Sequence, residues 1–402
     1  MGSINASEKS ARGGRPPGKI EASLNEKLQA VKWGEYKLSN LFERVDTQKL
    51  PYKAKDLPKE PTGDYVLPCL TSSFQNQGLN YYAPKAGATI IRNVISLPSN
   101  SDVYRAYYQS KDFTVLSDSY AIRWKPPENK PTPNQYLFMV MCINKVTDLP
   151  IYSYKNKLGG WNVVKHKKIR LPISEDRIDF DFMETFIAEL EAQRVAELSA
   201  YLTISGYDNY ELSDAELCAL QAFKTVNWKS FNLEKLFGKA TRGKRLKSAD
   251  RVVGNLPFVT AGETFEGVSA HIGNEVEVFD ANTTTIDMFG SAKYRSYKYG
   301  ADDHIAVVHT DKLPIKASIF VTSSIHKASH TGKFDYGNNF YAKDADALDI
   351  MLPEKDGKPD YAYMELLISA IHKQVIKEVV LYSDQKITST KEVISRTDQI
   401  NY

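Results

Sequence analysis

Apolar residues recur along this chain in two alternating rhythms. From Trp33 to about Ile173, short β-branched and aromatic runs such as Ala88-Thr-Ile-Ile-Arg92 and Ser119-Tyr-Ala-Ile-Arg-Trp124 are broken by Gly, Pro and Asn. That pattern predicts strands joined by long loops. From Phe180 to about Leu202 there is neither Pro nor Gly, and Met183, Ile187, Leu190, Val195, Leu198 and Leu202 fall at helical spacing. Glu184, Glu189, Glu191, Gln193, Arg194 and Glu197 suit the solvent face, and Gly206 ends the run. Ser213 and Glu216 form a capping box that opens a further helix ahead of Leu217 and Leu220. The plan then repeats. A strand-rich stretch from Trp228 to about Leu352, with turns such as Asp335-Tyr-Gly-Asn-Asn339, precedes a helix from Tyr361 to about Tyr382. Met364, Ile368, Ile371, Val375 and Val379 line one stripe of that helix.

The repetition extends to the residues themselves. Trp33-Gly-Glu-Tyr-Lys-Leu-Ser-Asn-Leu-Phe42 is answered by Trp228-Lys-Ser-Phe-Asn-Leu-Glu-Lys-Leu-Phe237. Upstream, Leu28-Gln-Ala-Val-Lys32 matches Leu220-Gln-Ala-Phe-Lys224. Leu67-Pro-Cys-Leu-Thr71 pairs with Leu256-Pro-Phe-Val-Thr260, and Tyr104-Arg-Ala-Tyr107 with Tyr294-Arg-Ser-Tyr297. Each copy closes on Leu-Pro, at Leu171 and at Leu352, followed by Asp179-Phe-Asp-Phe-Met-Glu184 or Asp360-Tyr-Ala-Tyr-Met-Glu365. The landmarks keep their order while their separation shrinks from 195 to 181 residues, which predicts two homologous domains. A period this long is not that of a solenoid, whose repeats run roughly 20–50 residues.

Composition adds mostly exclusions. With 42% hydrophobic and 25% charged residues in 402, both halves can bury a core. No apolar run approaches the roughly 20 residues of a membrane span, and the N-terminus lacks a signal-type apolar segment. Cys69, Cys142 and Cys218 are scattered, giving neither a disulfide framework nor a zinc site. The chain reads as cytoplasmic. Residues 1–19 read as a disordered basic tail, with a minor-groove arm as the sharper alternative for Arg12, Gly14-Arg-Pro16 and Lys19.

No catalytic constellation occurs in both copies. Gly238-Lys-Ala-Thr-Arg-Gly-Lys244 has the outline of a phosphate loop, but Arg245 stands where the Mg²⁺-binding Ser or Thr belongs. His326 and His330 lie four apart without a carboxylate partner motif, so no metal site is assigned. Net charge is only +3, yet positive charge clusters. Lys239, Arg242, Lys244, Arg245, Lys247 and Arg251 face one acid, and Lys165, His166, Lys167, Lys168 and Arg170 face none. Arginine and tyrosine can hold phosphates, and polar side chains can pair with base edges. The candidate DNA contacts are therefore Thr71, Ser72, Ser73, Gln75, Asn76, Tyr104, Arg105, Tyr107, Lys165, Lys167 and Lys168 in the first half. In the second they are Arg242, Lys244, Arg245, Thr260, Glu263, Lys293, Tyr294, Arg295 and Tyr297. The loops after the shared Leu-Pro-x-x-Thr differ between copies, as sequence reading by a common frame requires and as surface loops drifting without function also would.

In the order of these motifs the chain resembles the DNA-specificity (HsdS-type) subunits of Type I and Type I-like restriction–modification systems, including the type IIB branch. The resemblance covers roughly residues 20–382. It implies an α+β protein with two target-recognition domains separated by long antiparallel coiled-coil helices in pseudo-twofold arrangement. The expected segments are a tail 1–19, a short helix 20–32, domain one 33–175, a central helical spacer 176–227, domain two 228–355, a distal helix 356–383 and a C-terminal tail 384–402. Met183, Ile187, Leu190, Leu198, Met364, Ile368, Ile371 and Val375 would serve spacing and partner docking, the alternative being that each helix packs on its own domain. The resemblance further implies a bacterial or archaeal, non-catalytic subunit that reads an asymmetric bipartite site in double-stranded DNA. Its partners would be two methyltransferase subunits and a restriction (nuclease) subunit, which would carry S-adenosylmethionine, ATP and Mg²⁺. A stand-alone architectural DNA-binding protein and a duplicated enzyme with a carboxylate site are the alternatives. Co-purification of a methyltransferase separates the first, and a steep salt dependence of DNA binding the second.

Overall fold

The computed structural model describes residues 22–400, with side chains for 23–389; the basic tail 1–19 lies outside the described residues. Two compact units emerge. The first runs through Glu197 and takes in the end of the final helix from Thr390, and the second spans Leu198–Ser389.

Each unit is closed by its own landmarks. In the first, strand Lys32–Lys37 pairs antiparallel with Lys168–Ser174, bringing Trp33 opposite Pro172 and Gly34 opposite Leu171. In the second, Trp228–Asn232 pairs with Asp349–Lys355, bringing Trp228 opposite Pro353. The opening tryptophan and the closing Leu-Pro are thus two sides of one ladder. A four-stranded antiparallel sheet follows in each unit, ordered Phe42–Arg44, Ser119–Trp124, Val94–Pro98, Tyr107–Gln109, and Thr241–Arg242, Ile305–Val308, Thr283–Asp287, Ala292–Arg295. A three-stranded sheet completes the set: Leu79–Pro84, Tyr65–Leu70, Thr114–Val115, and Val268–Ile272, Val253–Val259, Gly300–Ala301, the last strand parallel in both. This is an α+β fold made twice.

One helix per unit was not legible among the strands: Pro133–Thr147 and Ile315–Ser329. The first is capped by the Thr132 side chain with Gln135 reciprocating and Pro133 at the opening position. The second is rich in β-branched residues, which favour strands locally, but Val321 and Ile325 are fully buried in the core. Burial overrides propensity there. Trp33 stacks on Phe138 at 6.4 Å and Trp228 on Phe320 at 6.2 Å, so each opening tryptophan covers its own unit's helix.

The Asp-aromatic-x-aromatic-Met-Glu motif has a mechanical explanation. Asp179 Oδ1 accepts the Phe182 N–H at 2.8 Å and Asp360 Oδ1 that of Tyr363 at 3.0 Å. Each aspartate caps the long helix that begins beside it. Met183 and Met364, one turn in, are fully buried in their own cores. The helices run Phe180–Ile204 and Tyr361–Ile400. The second is a correction: residues expected as a tail from 384 continue the helix through Ile400, because nothing from Tyr382 onward breaks it. The docking stripe is corrected as well. Met183, Ile187, Leu190, Met364 and Ile368 pack into their own domains, whereas Ile371 and Val375 are exposed, Val375 to 72%.

Candidate nucleic-acid interface

The residues after the shared Leu-Pro-x-x-Thr landmark form the same turn in both units. The Thr71 N–H donates to the Gly78 carbonyl at 2.9 Å, and the Thr260 N–H to the Gly267 carbonyl at 2.8 Å. The last three residues of the turn are left-handed: φ is 45°, 54° and 92° at Asn76, Gln77 and Gly78, and 50°, 55° and 81° at Phe265, Glu266 and Gly267. A Cβ on Gly78 or Gly267 would lie 3.0 or 2.6 Å from the Thr71 or Thr260 carbonyl oxygen, so glycine is required. The residues before it have no such freedom, and left-handed backbone costs L-residues roughly 1–2 kcal/mol each.

That conformation is held by the sheet behind it. Gln109 Nε2 donates to the Gln77 carbonyl at 3.4 Å and to Ser96 Oγ at 3.0 Å. Arg295 donates to the Glu266 carbonyl at 2.8 Å and to Thr285 Oγ1 at 2.9 Å. Gln109 faces Val94 across its ladder and Arg295 faces Thr283, so the two are equivalent. The neighbouring tyrosines agree. Tyr108 donates to Asn93 Oδ1 and Tyr294 to Asn282 Oδ1, both at 3.1 Å, and both asparagines are left-handed.

This register overturns the pairing of Tyr104-Arg-Ala-Tyr107 with Tyr294-Arg-Ser-Tyr297. Tyr294 corresponds to Tyr108, and Arg295 to Gln109. The loop before Tyr107 is longer than that before Ala292, and tyrosines at 104, 107 and 108 made a false match possible. Two of the candidate DNA contacts fall with it. Tyr104 is buried edge-on against Tyr152, and Arg295 is 1% exposed. Thr71 is buried too, its hydroxyl accepting from Asn80.

The remaining candidates divide into supports and exposed groups. Arg105 is ion-paired with Asp148 at 2.7 Å, Tyr107 donates to the Phe74 carbonyl, and Tyr297 accepts from Arg295. Ser72 donates through both N–H and hydroxyl to Asp118, and Ser73 accepts the Gln75 N–H. Thr260 is half-buried. Lys293 bridges Glu263 at 3.2 Å and Ser291 at 2.9 Å; the Ser291 hydroxyl, then Lys293, hold the Glu263 carboxyl below the usual range despite partial burial. Lys165 is half-buried, Lys167 donates to the Tyr152 hydroxyl, and Lys168 pairs with Glu35. Arg242, Lys244 and Arg245 are exposed, Arg245 lying 3.7 Å from Asp303. Gly243 is a strand-edge contact: a Cβ there would lie 1.8 Å from the Ala301 carbonyl oxygen.

Residues 30–200 and 225–381 both match the family described as the Type I restriction modification DNA specificity domain. The chain belongs to that family. The specificity subunit S.BcgI of a Type II restriction enzyme from Heyndrickxia coagulans is 26% identical over 247 residues, 60% of this chain and 68% of its own. The crystal structure of a Type I restriction-modification S subunit from M. genitalium shares the fold at 12% identity, with a TM-score of 0.54 over 90% of this chain and 94% of the other. The chain is a restriction–modification DNA-specificity subunit, of a family without catalysis of its own.

The specificity subunit carries several features that sequence reading missed. Gln77 shares the exposed tip of the first unit's turn with Gln75 and Asn76, and Thr264, Phe265 and Glu266 form the exposed tip of the second unit's turn. Arg92, Arg123, Lys125 and Lys130 line an open cleft of about 730 Å³ in the first unit. Their scatter along the chain concealed them. Ligating atoms of Asp302, Asp303 and His304 lie within 4.8 Å of one another, but Arg245 competes for Asp303. Burial pushes the Cys69 and Cys142 thiols to about 12, so neither is a nucleophile near neutral pH. Among the described residues, no helix is long and apolar enough to cross a membrane.

Proposed function

We propose that this specificity subunit reads an asymmetric bipartite DNA site, each strand-rich unit taking one half-site and the unread gap set by the long helices. The observation that carries this reading is the duplicated turn: one backbone, supports from equivalent strand positions, and different side chains at the tip. Such a pair would read two different words. Helix Phe180–Ile204 spans about 37 Å at 1.5 Å per residue, close to one turn of B-DNA. The long helices, in an antiparallel pairing, would then act as a ruler.

The second of these helices offers a docking surface. Ile371, Val375, Val379 and Tyr382 are exposed at helical spacing on Tyr361–Ile400. An apolar stripe on a helix suits a methyltransferase partner. S-adenosylmethionine, and ATP with Mg²⁺ where cleavage needs them, belong in this reading to the methyltransferase and restriction subunits.

Length tests the ruler. Four residues inserted into Phe180–Ile204 add about 6 Å, which is about two base pairs at roughly 3.4 Å each. The gap in the methylated motif should widen by about two base pairs, and an unchanged gap would refute the ruler.

A further inference from the structure

We infer that the turn tips, Gln75 with Gln77 in the first unit and Phe265 with Glu266 in the second, are the base-reading elements of their half-sites and that their chemistry sets the difference between the two. The inference rests on the DNA-specificity reading above and deepens it to named residues and base classes.

Three observations converge. The turn backbone is the same in both units although Gln77, Phe265 and Glu266 are poorly suited to left-handed φ. Main-chain carbonyls at Phe74, Gln77 and Glu266 are gripped by Tyr107, Gln109 and Arg295, so the fold spends its polar groups on the turn's backbone and leaves the tip side chains outside. Strained backbone held this way marks a functional constraint more often than an accident. The tips are also exposed and chemically unlike. Gln75 and Gln77 are exposed amides, and Asn76 is the structural member, its amide donating to the Leu79 carbonyl. Phe265 is 62% exposed, a large apolar group that burial does not explain. It borders an open cleft of about 470 Å³ with Pro257, Val268, Ala270, His271 and Tyr297.

The base chemistry follows from the major-groove code. A glutamine amide pairs bidentately with adenine N7 and N6, an aromatic or aliphatic group contacts the thymine methyl, and a carboxylate accepts from cytosine N4. The first half-site should therefore contain an adenine under Gln75 and Gln77. The second should place a thymine against Phe265 and a cytosine amino group against Glu266. A carboxylate at the tip repels phosphate, so Glu266 suits a base edge and not the backbone.

The test uses the full chain expressed with its methyltransferase in a host lacking other DNA methylation, with the modified motif mapped by sequencing. Gln75→Ala with Gln77→Ala should relax one or two positions of one half-site and leave the other strict. Phe265→Ala with Glu266→Ala should do the reverse. Discrimination at each relaxed position should fall about 5- to 150-fold, the size of one good base-edge contact. An unaltered motif from both variants overturns the inference. If methylation disappears, purified complexes are compared on motif and scrambled DNA: lost preference with retained affinity supports it. A uniform drop on both DNAs, as from lost phosphate contacts, overturns it. If the unsubstituted complex shows no preferred motif, the DNA-specificity reading itself fails.

Discussion

Gln109 and Arg295 hold equivalent turns in place from equivalent strands, yet they do so with different physics. Gln109 is neutral, sits near the surface and makes a long 3.4 Å bond to the Gln77 carbonyl. Arg295 is a buried cation that satisfies Glu266, Thr285 and Tyr297 at once, with Tyr299 under its guanidinium at 5.9 Å. A charge taken out of water is tolerated only when its donors are satisfied. The second turn is therefore more tightly bound to its frame than the first. Duplication has preserved the geometry of the turn while the means of holding it diverged.

Substitution at the clamp should expose that difference most strongly. Arg295→Ala empties a large buried site and strands the Glu266 carbonyl, while the Thr285 hydroxyl loses one donor and keeps the Lys293 carbonyl as acceptor, which together should cost about 3 kcal/mol or more. Gln109→Ala should cost about 1 kcal/mol. Denaturant unfolding of the two variants measures both, and equal losses would mean that the clamps are energetically alike. Their effects on recognition should fall on opposite half-sites.

A smaller asymmetry concerns the short helix packed beside each long one. By the repeat register Leu24 in the first unit corresponds to Glu216 in the second. Leu24 is buried in the apolar core, whereas Glu216 is buried against Lys373 at 2.9 Å. Burial raises the Glu216 pKa, but hydrogen bonds from the Ser213 N–H, Ser369, Lys373 and the Ser213 hydroxyl outweigh it and hold the carboxyl at about 2. A depressed carboxylate pKa contributes stability above the unfolded value of roughly 4.3 and loses it as pH falls toward the folded value. The second unit should thus lose on the order of 1–2 kcal/mol between about pH 4.5 and 2, allowing for screening. Glu216→Gln should flatten that part of the pH–stability curve; an unchanged slope would show that the pair contributes nothing.

What was legible in the sequence, and what was not, follows from how each feature is encoded. The Trp, Leu-Pro and Asp-aromatic-x-aromatic-Met-Glu landmarks depend on local residue chemistry, so they stood out twice, but that Asp179 and Asp360 cap the long helices and that Met183 and Met364 are buried in their own domains came only from the structure. The helix Ile315–Ser329 did not, because its β-branched residues answer to tertiary burial and not to local preference. The Tyr-Arg pairing misled because loop lengths differ and only the ladder partners fix the register. The contrast between buried Arg295 and exposed Phe265 runs against ordinary residue preference, and no single-sequence signal distinguishes it. Within the candidate site, the loops were found as loops and Gln75 among their candidates, while Gln77, Phe265 and Glu266, the other proposed reading positions, were set apart only by the left-handed turn.

The central claim is that two similar units read two different words, and mapping the modified bases written by the assembled complex tests it most directly. The account predicts one bipartite motif with two unlike half-sites separated by a fixed unread gap. A continuous palindrome, or two identical half-sites, would contradict it.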